Sequence, residues 1–160
     1  VGTIKEATGT NTAMTIDSTG RILTPARPAF FAYLASSQAL NSASEINITQ
    51  YLTTIDFNIG GHYSAADGFA APIDGIYCFQ FGFYTFSTTN AEVSIYKNGT
   101  KFQRFANTTA ASAVNPYSTR SSTTLSLSAG DEIELYHSAA TATLFGSSNR
   151  VTFFSGFLVG

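Results

Sequence analysis

No stretch of the chain shows the 3.6-residue recurrence of apolar positions that an amphipathic helix requires. Instead, β-branched and aromatic residues recur in short runs broken by Gly, Asn, Ser and Pro, the pattern of an all-β protein. The predicted strands are residues 30–35, 46–57, 75–86, 91–97, 101–106, 122–128, 132–137 and 151–159. So many short strands with turn signals between them point to a sandwich or jelly roll. Asn98-Gly99 tolerates the positive φ angles of a two-residue type I′ turn, which predicts a hairpin joining 91–97 to 101–106. Ala129-Gly130-Asp131 separates alternating Leu125 and Leu127 from alternating Ile133 and Leu135, so a second hairpin is expected there.

Two runs depart from simple alternation. In 75–86, Tyr77, Phe79, Phe81 and Phe83 share one face, while Ile76, Cys78, Tyr84 and Phe86 share the other. In 151–159, Val151, Phe153 and Phe157 oppose Phe154 and Leu158. A strand in a two-layer sandwich needs one apolar face for its own core, so the second face must meet another layer or another subunit. Tyr77, Phe79, Phe81, Phe83, Phe154 and Phe157 are therefore expected in a core or a subunit interface. At roughly 25 cal/mol per Å² of apolar surface, a few such aromatics contribute several kcal/mol to association.

Residues 1–28 are different: Thr, Gly and Ala dominate, and Met14 and Ile16 stand as isolated apolar points. This segment has no core of its own and reads as a neck or stalk end, with Pro25 and Pro28 preceding a domain over 29–160. The chain opens on Val1, as expected of a piece of a longer polypeptide.

Composition narrows the function. Only 11% of residues are charged against 44% hydrophobic, so surface hidden by other chains is expected. The net charge is -2 and the eight Lys and Arg are scattered, which argues against nucleic acid and anionic membranes as partners. No apolar run approaches the ~18–20 residues that span a bilayer as a helix, so membrane insertion is not expected. Cys78 is the only cysteine and reads as a small buried hydrophobe.

No nucleophile-elbow pattern surrounds a serine, and His62 and His137 lie in no metal-ligand spacing, so neither catalysis nor a cofactor is expected. His62 reads as a structural residue in Gly61-His62-Tyr63. The candidate ligand-binding residues are Arg104, Tyr117, Arg120, Tyr136 and His137. Arginine can clasp carboxylates with two hydrogen bonds and tyrosine can stack on sugar faces; His137, at a predicted strand end, is expected to be partly exposed. Lys101 and Arg150 read as solvating or salt-bridging cations. Asn47, Asn98 and Asn107 each open an N-glycosylation pattern, which matters only in a eukaryotic secretory source.

The order of blocks resembles the C1q-like globular head, related in fold to tumour necrosis factor. The resemblance covers 29–160. It is carried by Asn58, Gly61-His62-Tyr63, Phe69, Pro72 and Gly75-Ile76-Tyr77-Cys78-Phe79-Gln80-Phe81, followed by Val93-Ser94-Ile95-Tyr96-Lys97-Asn98-Gly99, Leu125-Ser126-Leu127 with Gly130-Asp131, and Ser155-Gly156-Phe157-Leu158. Leu52 replaces the family's usual phenylalanine, and the 63–69 loop is one residue short. The resemblance implies a ten-stranded jelly roll assembling as a homotrimer through one of its sheets. Some members bind calcium through loop carboxylates, but 87–90, 107–115 and 138–149 contain no Asp or Glu, so that site is not carried over.

Residues 15–22, leading into Pro25, Pro28 and Phe30-Phe31-Ala32-Tyr33-Leu34, look like the lead-in to C1q-like heads of bacteriophage tail and fibre proteins. The expectation is therefore a non-enzymatic trimeric attachment module that recognises a cell-surface receptor or glycan, on a virion or otherwise extracellular. The alternative is a secreted C1q-like recognition or signalling head. In either case the contacts are expected on the polar loops 87–90, 107–115 and 138–149.

Overall fold

The computed structural model describes residues 2–5, 12–87, 91–108 and 117–160. In chain order the strands are β1 (Gly2–Lys5), β2 (Thr12–Ile16), β3 (Ile22–Leu23), β4 (Ala29–Tyr33), β5 (Gln38–Asn47), β6 (Thr54–Ile59), β7 (Tyr63–Ser64), β8 (Gly68–Ala70), β9 (Gly75–Ser87), β10 (Ala91–Lys97), β11 (Thr100–Thr108), β12 (Tyr117–Leu127), β13 (Glu132–Leu144) and β14 (Phe153–Leu158). β1, β2 and β3 pair with one another in a small sheet, and the other eleven strands form the sandwich.

The inner layer runs β12-β9-β14-β4-β6 and the outer layer runs β11-β10-β13, with β5 and β8 also on β13 and β7 on β8. All pairings are antiparallel. This is the expected jelly roll. The layers join where the end of β13 pairs with the end of β9, Ala142 opposite Ser87 and Leu144 opposite Thr85.

The core follows from the two-residue period of the strands. Tyr77, Phe79, Phe81 and Phe83 of β9 and Phe154 of β14 are all buried, together with Phe30, Phe69, Val93, Ile95, Ile133 and Leu135. Phe30 stacks on Tyr63 at 4.6 Å and meets Phe154 edge-on at 5.0 Å; Phe69 meets Phe79 edge-on at 5.5 Å. Such pairs add specificity of geometry to area burial. Gly156 is required by this packing, because a Cβ there would stand 2.6 Å from Phe79 Cδ1 and 2.8 Å from Phe30 Cε1.

The Asn58 to Tyr63 block closes on itself. Asn58 Nδ2 donates to the Tyr63 carbonyl at 2.8 Å and the Tyr63 N–H donates to Asn58 Oδ1 at 3.2 Å, while Gly60 and Gly61 take φ of 83° and 73° between them. Only residues without a Cβ occupy that region freely. The expected Asn98-Gly99 hairpin is present, with both residues at positive φ.

Several boundaries differ from the sequence expectation. The run 46–57 is not one strand: it holds the end of β5, a 3-10 turn at Thr49–Tyr51 and the start of β6. Asn47 breaks it, its Oδ1 accepting the Thr49 N–H at 2.9 Å in an Asx-type turn, and Thr49 Oγ1 then accepts the Leu135 N–H at 2.8 Å. The expected loop 138–149 is strand as far as Leu144. Ser138–Leu144 and β5, both built of small residues of modest strand propensity, pair with each other, Ala139 opposite Ser42 and Thr143 opposite Ala39.

Truncating the core aromatics is expected to be severe. Tyr77→Ala or Phe79→Ala should cost about 3–5 kcal/mol, comparable to much of a domain's stability. Denaturant unfolding measures this; an unchanged midpoint in either variant would contradict the packed role of these rings.

Candidate functional site

Antiparallel register decides which candidate residues meet. Across the outer layer, Arg104 of β11 lies opposite Ser94 of β10, Ser94 opposite Tyr136 of β13, and Tyr136 opposite Asn47 of β5. The next row is Lys101, Tyr96 and Glu134. Lys101 and Arg104 are three residues apart and would point to opposite faces of a regular strand. The register shift between Ile95 and Tyr96 leaves Phe102 unpaired and brings both cations to the outward face.

There they share Glu92: Lys101 Nζ approaches its carboxylate at 2.8 Å, Arg104 Nε at 2.7 Å, and Ser94 Oγ donates to it at 2.9 Å. Lys101 also pairs with Glu45, which accepts the Tyr96 hydroxyl. The Tyr96 and Tyr136 rings stack with centroids 3.8 Å apart. Asn47 Nδ2 donates to Glu134.

The electrostatics follow from these contacts. Partial burial alone would raise the Glu45 and Glu92 carboxyls, but hydrogen bonds from Lys101, with Tyr96 on Glu45 and Ser94 on Glu92, hold both below the ordinary value. Glu134 goes the other way, raised chiefly by burial. The Tyr96 phenol is pushed up to about 12 by burial and by its hydrogen bond to Glu45. This face thus presents the Glu45, Glu92 and Glu134 carboxyl groups, two cations and a stacked tyrosine pair. It can clasp hydroxyl-rich or charged groups beside an aromatic surface.

The other candidates go elsewhere. Arg120 lies on the outward face of the inner layer, its guanidinium 5.6 Å from the centroid of the Phe153 ring, beside a shallow cavity of about 370 Å³ lined by Gln80, Arg120, Ser122 and Phe153. Phe153 stacks on Phe31 at 5.1 Å, and Phe31 neighbours Phe57 at 6.3 Å. Around this aromatic row Ile55, Phe57, Ile59, Ile76, Phe157 and Val159 are all exposed, Phe157 at 43% and Phe57 at 47%. Arg150 lies over Tyr33 at 4.9 Å and pairs with Asp56 at 2.5 Å.

Tyr117 begins β12 opposite Thr85, and its side chain lies outside the described residues. Of the expected contact loops 87–90 and 107–115, only Ser87, Asn107 and Thr108 are among the described residues, at the ends of β9 and β11. His137 corrects the expectation of partial exposure: β13 runs on past it to Leu144, and the imidazole is 1% exposed, packed on Phe83 at 5.0 Å. It cannot touch a surface ligand in this conformation.

Sequence reasoning missed Tyr96, Glu92 and Glu45. The alternation of Glu92, Ser94 and Tyr96 against Val93 and Ile95 carried a legible outward face on β10. The bulge that places Lys101 beside Arg104 left no such signal.

Solved structures share this fold at low sequence identity. Eiger TNF from S. frugiperda superposes with a TM-score of 0.62 at 10% identity, covering 84% of this chain and 93% of that one. The globular domain of zebrafish complement 1qA gives 0.60 at 13% identity, covering 83% and 98%. Murine APRIL gives 0.59 at 17%, covering 83% and 99%. No curated protein matches the chain in sequence. The sequence profile of the C1q domain matches residues 29–159, and the chain accordingly belongs to the C1q domain family.

Proposed function

We propose that the chain is a trimeric recognition module that acts by binding. The observation that carries this reading is the outward face of the inner layer, where Phe57, Phe157, Ile55, Ile59, Ile76 and Val159 stand exposed beside the stacked Phe31 and Phe153. A patch of that breadth is rare on a monomer's surface and fits cover by further copies of the same chain. Three weak sites held together then gain avidity for repetitive cell-surface groups. The stacked Tyr96 and Tyr136 with Arg104, Lys101, Glu45 and Glu92 supply a second, polar face suited to a glycan or a protein receptor.

Residues 1–28 act as the neck of this head. β1, β2 and β3 make a sheet too small to be stable alone, and Ile4, Ile16, Ile22 and Leu23 are exposed on it. Arg27 ties the end of the segment to the sandwich through the Val159 carbonyl. The likeness of 15–34 to phage tail lead-ins supports an attachment head on a viral fibre, displayed on a virion. A secreted signalling head is the competing reading; the sequence preceding Val1 discriminates the two, fibre repeats against a signal peptide and collagen-like repeat.

Light scattering is expected to give three times the mass of the chain at micromolar concentration. Phe57→Asp and Phe157→Asp should each reduce this to a monomer that keeps its β circular dichroism, because both rings are exposed within one chain. A trimer that survives both changes would exclude the inner-layer face as the contact.

For recognition, the double change Arg104→Ala with Tyr136→Ala, and separately Gly-Ser replacement of 88–90 and of 109–115, should leave the trimer intact. At least one should lower binding to host cells or to a glycan array by tenfold or more. Parental binding in all three would place recognition elsewhere, with Arg120 as the next candidate.

A further inference from the structure

Position 137 breaks the row it belongs to. Ile133, Leu135 and His137 point from β13 into the core at successive alternate positions, and all three are buried. An aliphatic side chain would complete the row, yet the sequence places an imidazole there. Neither Nδ1 nor Nε2 has a hydrogen-bond partner among the described residues. The ring packs on Phe83 of β9, while Val93 of β10 and Ile46 of β5 stand directly opposite in register. Leaving a buried polar group unpaired costs stability, so such a group in a native core calls for an explanation.

No counter-ion among the described residues offsets it. On the strands packed around the ring, the charged and titratable residues lie on the outward side: Glu134 and Tyr136 on β13, Glu92 on β10, Glu45 on β5. Inward, β9 turns Phe81, Phe83 and Thr85 to the core, and the Thr85 hydroxyl is spent on the Thr143 carbonyl at 3.0 Å. The adjoining seam is irregular. Beyond His137 the pairing of β13 with β5 shifts between His137 and Ala139 and again between Ala139 and Ala142.

We propose that His137 is an acid switch built into the outer layer: a proton taken up there places an unpaired charge in an apolar slot, and the layer opens along β13 to hydrate it. The device is independent of the trimer and of any ligand. Its effect falls on the strand that presents Tyr136 and bonds to β10, β5, β8 and β9.

The sign of the pH dependence follows from burial, which pulls the imidazole from 6.5 down to about 4. In the closed form His137 stays neutral; in an open or unfolded chain it takes its proton near 6.5. Between those values the open form holds more protons, so stability is complete above about pH 6.5 and is lost progressively toward pH 4. Glu134, raised by burial, acts in the opposite direction. Asp17 and Asp131, held at about 2 by their hydrogen bonds, give up their contribution only at lower pH. Linkage through one such group lowers the folding equilibrium constant by roughly 50-fold between pH 7 and 4.5.

The test uses the full chain at fixed concentration. Imidazole resonances are followed by NMR from pH 7.5 to 3.5, and urea unfolding is compared at pH 7 and 4.5 for the parent, His137→Phe and His62→Gln. The expected result is one imidazole titrating far below 6.5, a loss of about 50-fold in the parent and in His62→Gln, and a much smaller loss in His137→Phe. Amide exchange of β13, corrected for intrinsic rates, should accelerate in the parent at pH 4.5, which decides the matter even if His137→Phe fails to fold. Titration of His137 near 6.5, an equal loss in His137→Phe, or unchanged β13 protection at pH 4.5 would each overturn the proposal.

Discussion

The pairing of β13 with four other strands is the constraint on which the rest of the structure depends. Its first residues bond to β8, its middle to β10 and β5, and its last to β9, where the outer layer meets the inner. Because side chains alternate along a strand, that one set of registers settles two surfaces together. It turns Ile133 and Leu135 to the core and Glu134 and Tyr136 to the outward face, where the charged residues of β10 and β11 gather around them. A slip of one residue would exchange the two sets, burying two titratable groups and exposing the aliphatic ones. Register and candidate site are therefore one fact.

The fold was legible in the sequence wherever residues with strong strand preference alternated. The aromatic run from Tyr77 to Phe83, the Asn98-Gly99 turn and the pair Leu125 and Leu127 each carry a local signal that the tertiary structure keeps. β5 and the second half of β13 carried none. Ala, Ser and Thr in Gln38–Asn47 and Ser138–Leu144 are strands because each meets the other, and a pairing between distant segments leaves no local trace. The opposite error arose at Asn47, where β-branched Ile46, Ile48 and Thr49 read as continuous strand although an Asx turn intervenes.

The candidate residues divided for the same reason. Sequence reasoning ranked side chains by what they can do chemically, whereas their grouping depends on parity within a strand and on bulges that change it. Arg104 and Tyr136 share a face because of a register shift near Phe102. His137 is one residue from Tyr136, and that single step places it in the core. Arg120 faces Gly82 across β12 and β9, where the missing side chain leaves room for the Phe153 ring beneath its guanidinium; a Cβ at position 82 would stand 2.3 Å from that ring.

The two outward faces of the sandwich obey different physics, and the proposed assembly and recognition rest on one each. On the inner layer, Phe57, Phe157 and Ile76 gain from losing water, a gain that is nondirectional and grows with area, so it favours a broad and lasting contact. On the outer layer, Glu92 and Glu45 already hold Lys101 and Arg104, and such exposed ion pairs add little to stability. Their effect is to fix the cations and the tyrosine rings in place before any ligand arrives. Preorganisation of that kind reduces the ordering that a partner must impose, so a polar face with little stabilising role of its own can still bind with selectivity.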